Sequence, residues 1–515
     1  MPTPVLRRTG PAVLTVGLSL FAACTTAQPE PSPGPTAAAF APEFAGAACP
    51  ADVEVTLLVD HSCGYLTVLQ NRSDDDGAWA RLLVVRMDPP GGAASPDPVL
   101  VAGADIGDEP QIGSFAPLAA RVGRTVYVLE PRGVGHSVPA LTCPEVEELA
   151  VEVVESPSDD ERAREHFLDA VEVCRARLVA DGVDIGGFGV AEAAADIEDL
   201  RRALDIPQWN LVSYGSNSRF VLESVRRFPD AVRAVAMDSP ELPQFGIGRG
   251  PDALTAAIGN LSEACAQQPA CESAAPDLDA LLRDAIARLD ATPLEIEVTD
   301  GRLAEQAGGA VEVRLDGGSA LRAMRLALAG DGPAYAARLP AAIAAAAAGE
   351  PPALFAEILG NDPSLCAGYR PLCPRDRTFS LGVYLSVVCG DPAPAQEGGE
   401  APYRRLFEDN PYLAACESWS VPPANSGTNE PLATDLPVLI MTGALDSFSG
   451  ALAAADAAAD LPNALVLEVP GQTHNVLGFS DCTLAIRNAW IDEPGARPDT
   501  ACLEELTITF EIDAD

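Results

Sequence analysis

Few residues of this chain have types and spacings that could do chemistry. Among its 515 residues are four histidines, His61, His136, His166 and His474, and 13 cysteines. No His shares a ligand spacing with a Cys or with a second His, so no metal site is expected, and nothing calls for a cofactor. Setting Cys24 aside leaves 12 cysteines, an even number that suits up to six disulfides in an oxidising compartment. Proximity in sequence pairs Cys49 with Cys63, Cys143 with Cys174, Cys265 with Cys271, Cys366 with Cys373, Cys389 with Cys416, and Cys482 with Cys502. Spacing alone does not fix that connectivity. A serine-rich stretch, Asn210-Leu-Val-Ser-Tyr-Gly-Ser-Asn-Ser-Arg219, lies between a strand-like run and a helix-like one. Asp446 and His474 each follow a strand-like run by a few residues.

The elements that must hold these residues are legible as alternating patterns. Short β-rich runs occupy Val53–Val59, Tyr65–Leu69, Ala80–Met87, Pro98–Ala102 and Thr125–Leu129. Helical periodicity marks Asp160–Asp181 and Ala191–Leu204, then a strand at Trp209–Val212, a helix through Arg227 and a strand at Val232–Met237. This alternation predicts an α/β fold, a mostly parallel sheet flanked by helices on both faces. From about residue 240 to 430 the text changes to Ala-rich helices, among them Leu278–Leu289, Gly318–Ala329 and Ala336–Ala348. The sheet signature resumes with Leu436–Thr442, the helix Gly450–Asp460 and the strand Ala464–Val469. The expected organisation is therefore a core in two parts, 49–239 and 431–515, split by a helical lid over 240–430.

Ahead of the core, Arg7 and Arg8 precede the apolar run Pro11–Ala23, too short to span a bilayer and shaped like a secretory signal. It ends in Phe21-Ala-Ala-Cys24, which resembles the bacterial lipobox, in which the Cys is lipidated and becomes the mature N-terminus. A plain signal peptide cleaved nearby is the alternative. Residues 24–48 are rich in Pro, Ala, Ser and Thr and read as a flexible tether. The folded part is thus expected outside the cytoplasm, held to the membrane by an N-terminal lipid anchor.

Val126-Tyr-Val-Leu-Glu-Pro-Arg-Gly-Val-Gly-His-Ser137, followed by Pro139-Ala-Leu-Thr-Cys143, resembles the strand and loop of α/β-hydrolase peptidases of the tripeptidyl aminopeptidase and proline iminopeptidase (TAP-like) type. Further matching pieces are Cys174-Arg-Ala-Arg-Leu178, Trp209-Asn-Leu211, Phe228 to Pro240, Pro437 to Asp446, and Val469-Pro-Gly-Gln-Thr-His474. The resemblance implies the α/β-hydrolase fold and a serine hydrolase, most like an exopeptidase releasing short peptides or residues from peptide N-termini. In such enzymes a Ser attacks an acyl carbon, a His carries the proton and an Asp orients the His, in the chain order Ser, Asp, His. Carried onto this chain, the roles fall to Ser213, Asp446 and His474, with a small peptide or small molecule as substrate.

Two positions depart from the family pattern. Local wording matches Ser213-Tyr-Gly215 to the family's Ser-Tyr-Gly and makes Ser213 the nucleophile. Gap-free spacing from Asn210 to Pro229 instead puts Gly215 at the apex of the nucleophile turn, with no nucleophile there. Sterics side with the second reading, because a Ser213 apex leaves Leu211 where a small residue is needed. The family's Gly-Gly-Pro-Gly oxyanion loop reads Gly103-Ala-Asp-Ile-Gly107 here, making Gly103 and Ala104 the candidate donors to a developing oxyanion. Two functions stay open: a lipid-anchored serine hydrolase, and a catalytically inactive binding or scaffold protein on the same fold.

Charge excludes other classes. The net charge is -42, the sequence pI is near 4.2, and all 33 basic residues are Arg. Such a polyanion repels nucleic acids and anionic lipid surfaces. High-GC coding accounts for the missing Lys, and adaptation to salt is a compatible reading, since screening relieves carboxylate repulsion. Under that reading, denaturation midpoints rise steadily from dilute buffer to molar salt; equal midpoints across the series overturn it.

Overall fold

The computed structural model describes residues 41–512, apart from 56–58, 75–76, 104, 150–155, 157–159, 246–249, 300, 331–332, 362–378, 391–399, 409–410, 425–426, 451–456, 458–459 and 479. Its strands in chain order are β1 (Glu43–Ala47), β2 (Asp60–Leu69), β3 (Trp79–Asp88), β4 (Val99–Val101), β5 (Val126–Leu129), β6 (Trp209–Tyr214), β7 (Val232–Asp238), β8 (Leu294–Val298), β9 (Val311–Leu315), β10 (Val438–Gly443) and β11 (Ala464–Val469). Among the described residues nine of them form one sheet, in the order β1-β2-β3-β5-β4-β6-β7-β10-β11. The pairings from β5 through β11 are parallel, and β1, β2 and β3 add an antiparallel edge.

The central strands read as continuous apolar runs because both faces are covered: every residue of β4, β5 and β10 is buried. Helix Glu161–Ala180 buries Phe167, Val171, Cys174 and Leu178, a stripe at spacings of four and three, and Asp160 caps it by accepting from the Arg162 N–H. Arg132, in the loop after β5, is buried and pairs both oxygens of Asp196 on helix Val190–Ala203 at 2.7 and 2.5 Å. It also donates to the carbonyls of Gln70 and Gly187. The Pro-Arg-Gly of the sequence motif is thus a fastening between sheet and helix.

Several sequence expectations change. The tether assigned to 24–48 ends earlier, because Glu43–Ala47 forms β1, pairing with β2 from Glu43↔Thr67 to Ala47↔Cys63. Phe44 fills the space over Gly64, where a Cβ would lie 2.3 Å from its ring. Val53–Val59 is not a strand in its described part. Five of the proposed disulfides are formed, Cys49–Cys63, Cys143–Cys174, Cys265–Cys271, Cys389–Cys416 and Cys482–Cys502; Cys366 and Cys373 lie outside the described residues, as do Cys24 and the signal segment.

Between β7 and β10 the chain builds the helical insertion, with Gly250–Ala266, Leu278–Ala291, Gly317–Ala329, Ala334–Ala348 and Ala353–Asn361 among its helices. It also contains an antiparallel hairpin, β8 with β9, in which Ile296 and Val298 are buried and Glu295 and Glu297 exposed. The insertion's apolar core includes Leu445, the residue before Asp446, and Ile508 and Phe510 near the C-terminus.

His136 ties the loop after β5 to the N-terminal segment. Its Nδ1 lies 2.9 Å from Glu130 Oε1 and its Nε2 lies 3.1 Å from Asp52 Oδ1, with Glu109 Oε1 3.4 Å from Nδ1. The hydrogen bond with Glu130, outweighing burial and reinforced by the surrounding carboxylates, pushes His136 up to about 9. A His raised on folding stabilises fully below its ordinary value of 6.5 and loses that contribution as pH rises through about 9. His136→Gln should therefore be destabilised at neutral pH and lose that portion of the alkaline decline, read as denaturant midpoints along a pH series; an unchanged profile overturns the assignment.

Candidate active site

β6 ends at Tyr214, the chain turns at Gly215, and a short 3-10 turn leads into helix Ser218–Arg227. Gly215 takes φ +51°, the left-handed region that favours glycine, at the sharpest point of this strand–turn–helix. The apex therefore carries no side chain. Ser213, expected as nucleophile, lies two residues earlier within β6, opposite Met237; it is fully buried, and its Oγ has no hydrogen-bond partner among the described residues. This corrects the Ser213 assignment, because the turn falls at Gly215 and leaves Ser213 in extended backbone beneath it. Ser216 and Ser218 are engaged elsewhere: Ser216 Oγ accepts from the Ile106 N–H and donates to Asp105, and Ser218 Oγ donates to the Glu241 carbonyl.

Asp446 and His474 do meet. His474 Nδ1 is 3.0 Å from Asp446 Oδ1, on loops that follow β10 and β11. Asp446 Oδ1 also accepts from the Phe448 N–H, and its Oδ2 accepts from Ser449 Oγ at 2.6 Å and Thr442 Oγ1 at 3.3 Å. Burial pushes the Asp446 carboxyl up, but the His474 charge and these donors outweigh it and hold the group at about 2. The two loops touch because Gly443 lacks a side chain: a Cβ there would lie 2.0 Å from the Thr473 carbonyl oxygen. Asp238, at the end of β7, accepts from the N–H groups of Val476 and Leu477, pinning the His474 loop from below.

The place of the missing side chain is taken by Asp105, from the loop after β4. A Cβ on Gly215 would lie 2.1 Å from Asp105 Oδ1. That oxygen accepts from the Ser216 N–H at 2.8 Å and from Ser216 Oγ at 2.8 Å. The other oxygen, Oδ2, lies 3.8 Å from His474 Nε2. The N–H after the apex, which belongs to the oxyanion hole in a hydrolase of this architecture, thus donates to a carboxylate of the chain itself. Of the expected donors, Gly103 has φ +78° and packs so that a Cβ would lie 2.6 Å from Asn217 Nδ2, and Ala104 lies outside the described residues. Burial pulls His474 down, but Asp446 and Asp105 on its two sides outweigh it and hold the imidazole well above 6.5.

Around this line of charge sit groups the sequence did not single out. Half-buried Glu241 follows β7 closely; burial and the Asp105 charge push it up to about 7, opposed by Arg219, His474 and Arg325. Arg325, from the insertion, stacks 4.0 Å over the Phe448 ring, which in turn lies 5.3 Å from the His474 ring. Asp105 lies in the loop Gly103–Gly107, and the signal that could have found it is a carboxylate in a loop whose family counterpart carries Pro and no acid. Among the described residues one group, Glu109, Glu130 and His136, brings potential metal-ligand atoms within 4.8 Å of one another. Its imidazole nitrogens face carboxylates at hydrogen-bond distance.

The family model described as the alpha/beta hydrolase fold matches residues 90–255, and the model described as TAP-like protein matches residues 405–502, which carry Asp446 and His474. A putative hydrolase of Escherichia coli K12, YuaR, is 27% identical over 187 residues, 34% of this chain and 35% of that protein, so the match spans about a third of the relative's length. Among solved structures, Cfl2 from Burkholderia cenocepacia matches at 12% identity over 84% of this chain and 96% of that one, with a TM-score of 0.35. The carboxylesterase CesB from Bacillus subtilis is 12% identical over 85% of this chain and 93% of its own, with a TM-score of 0.35. By its sheet order, its elbow and these matches, the chain has the α/β-hydrolase fold, and its C-terminal part, residues 405–502, resembles the TAP-like proteins.

Proposed function

We propose that the protein is an extracytoplasmic, lipid-anchored hydrolase in which the carboxylate of Asp105 stands in the place of the serine, with His474 and Asp446 completing the reactive line. One observation carries this reading: Asp105 Oδ1 fills the position of an apex side chain, while Oδ2 faces His474 Nε2 at 3.8 Å. An exopeptidase acting through Ser213 loses its support, because Ser213 Oγ makes no hydrogen bond with His474. The anchor at Cys24 and the export signal come from the sequence, and the five disulfides support an oxidising compartment.

A second reading, a non-catalytic binding protein, is favoured by the bare apex and by His474 meeting a carboxylate on each side. Two experiments separate them. A fluorophosphonate probe should label no serine of the folded wild type; label on Ser213 overturns both readings. Under the hydrolase reading, turnover of p-nitrophenyl acetate or of simple epoxides falls at least about 100-fold in Asp105→Asn and His474→Asn and little in Ser213→Ala. Absence of wild-type turnover on both substrate types favours the binding protein. The geometry also makes Gly215→Ser alone unreactive toward the probe, since its Cβ meets Asp105 at 2.1 Å, and Gly215→Ser with Asp105→Gly reactive.

A further inference from the structure

We infer that His136, Glu109 and Glu130 hold one divalent metal ion, zinc or manganese, and that this ion fastens the loop on which Asp105 sits. Glu130 ends β5, His136 lies six residues later, and Glu109 comes from the loop after β4. The fold, not a spacing in the sequence, brings them together.

Their geometry has the dimensions of a coordination shell. Glu130 Oε1 lies 2.9 Å and Glu109 Oε1 3.4 Å from the same ring nitrogen, His136 Nδ1, and all three atoms fall within 4.8 Å of one another. Metal bonds of about 2.1 Å at octahedral or tetrahedral angles hold neighbouring donors about 3.0–3.4 Å apart. Two of the three edges already have that length. Glu130 is buried, and its Oε2 accepts from the His136 backbone N–H, so Oε1 is the oxygen directed at the ring. Gly135 has φ +54°, and a Cβ there would lie 2.8 Å from both Glu109 Cγ and Glu130 Oε1. The bare glycine is what allows the two carboxylates to approach one point.

The other side of the ring supplies an independent sign. Nε2 lies 3.1 Å from Asp52 Oδ1. Metal-ligating histidines give their second N–H to a carboxylate in this way, which fixes the tautomer and the plane of the ring. With the Nε2 proton turned toward Asp52, neutral His136 presents a lone pair to two carboxylate oxygens. Three acceptors need a cation between them. A proton on Nδ1 makes a good bond to one carboxylate, whereas a divalent ion meets both together with the ring. One imidazole and two carboxylates suit zinc or manganese, while calcium takes about six to eight oxygen ligands and magnesium keeps most of its water. Glu109 is 18% exposed, which gives the ion a way in and water a place to complete the shell.

The consequence reaches Asp105 through the backbone. Glu109 follows it by four residues, the Asp108 N–H donates to the Asp105 carbonyl, and the Ile106 N–H donates to Ser216 Oγ. An ion on Glu109 therefore holds the segment that sets Asp105 against Gly215.

The test uses the full chain, stripped with a chelator and titrated at pH 8 with zinc chloride or manganese chloride by calorimetry. One ion should bind per chain and raise the thermal midpoint, with calcium and magnesium doing neither. Glu109→Gln and His136→Gln, checked for folding by circular dichroism, should each weaken binding at least about 100-fold, Asp52→Asn by about 10-fold, and His474→Asn not at all. In the zinc-loaded wild type, hydrogen exchange at the Ile106, Gly107 and Asp108 amides should slow. Absence of binding by the wild type overturns the inference, as does binding that survives Glu109→Gln and His136→Gln or is lost in His474→Asn. A bound ion that leaves exchange at those amides unchanged overturns the fastening of the Asp105 loop and supports the metal site.

Discussion

A buried imidazolium persists only where negative charge meets it, and this requirement organises the centre of the molecule. Removing an unpaired ion from water costs several kcal/mol even after relaxation, on the order of what a whole domain gains on folding. His474 is buried, and it is met by Asp446 on one side and Asp105 on the other. Three strand ends supply what the arrangement needs: β4 leads to Asp105, β10 to Asp446, and β7 to Asp238, whose carboxylate holds the loop carrying His474. They lie along the carboxyl-terminal edge of the parallel part of the sheet, with β6 between β4 and β7, where open α/β sheets gather their ligands.

The insertion is fastened to this line of charge. Ser447 Oγ donates to the Arg325 carbonyl, Thr473 Oγ1 donates to the Gly330 carbonyl, and Arg325 lies over Phe448. Leu445 belongs to the insertion's apolar core while Asp446 belongs to the site. Movement of helix Gly317–Ala329 would thus pull on the acid turn and on the histidine loop together. A lid coupled in this way can alter access and electrostatics at once, because Arg325 is among the charges that oppose protonation of Glu241.

The sheet was legible because its central strands are continuous apolar runs, and Asp446 and His474 because each follows such a run by a few residues. What escaped was set by contacts across long stretches of chain. Glu43–Ala47 has tether-like composition and becomes β1 because Phe44 fits over Gly64. The β8–β9 hairpin is a short alternating pair within helical text, and its burial pattern appears only once the helices around it are packed. The elbow was ambiguous by words and settled by sterics, since only the residue with φ +51° can be the apex. Asp105 stood out by type but not by role, because its meaning depends on Gly215, 110 positions away.

Those two positions are physically a single change. With glycine at the apex and a small residue or Pro in place of Asp105, the Ser216 N–H and hydroxyl would lose their acceptor and His474 its second counter-charge. Each such loss costs about 1–3 kcal/mol when the group is buried. With Asp105 in place and any side chain at 215, a carboxylate oxygen and a Cβ would stand 2.1 Å apart, which no relaxation of a turn at φ +51° accommodates cheaply. Either substitution alone is unfavourable and the pair is self-consistent, so the carboxylate is an integral part of the turn, standing where the apex side chain would be. That exchange moves the oxygen that faces His474 off the elbow and onto the neighbouring loop, while the histidine, its acid and the N–H after the apex remain where the fold puts them.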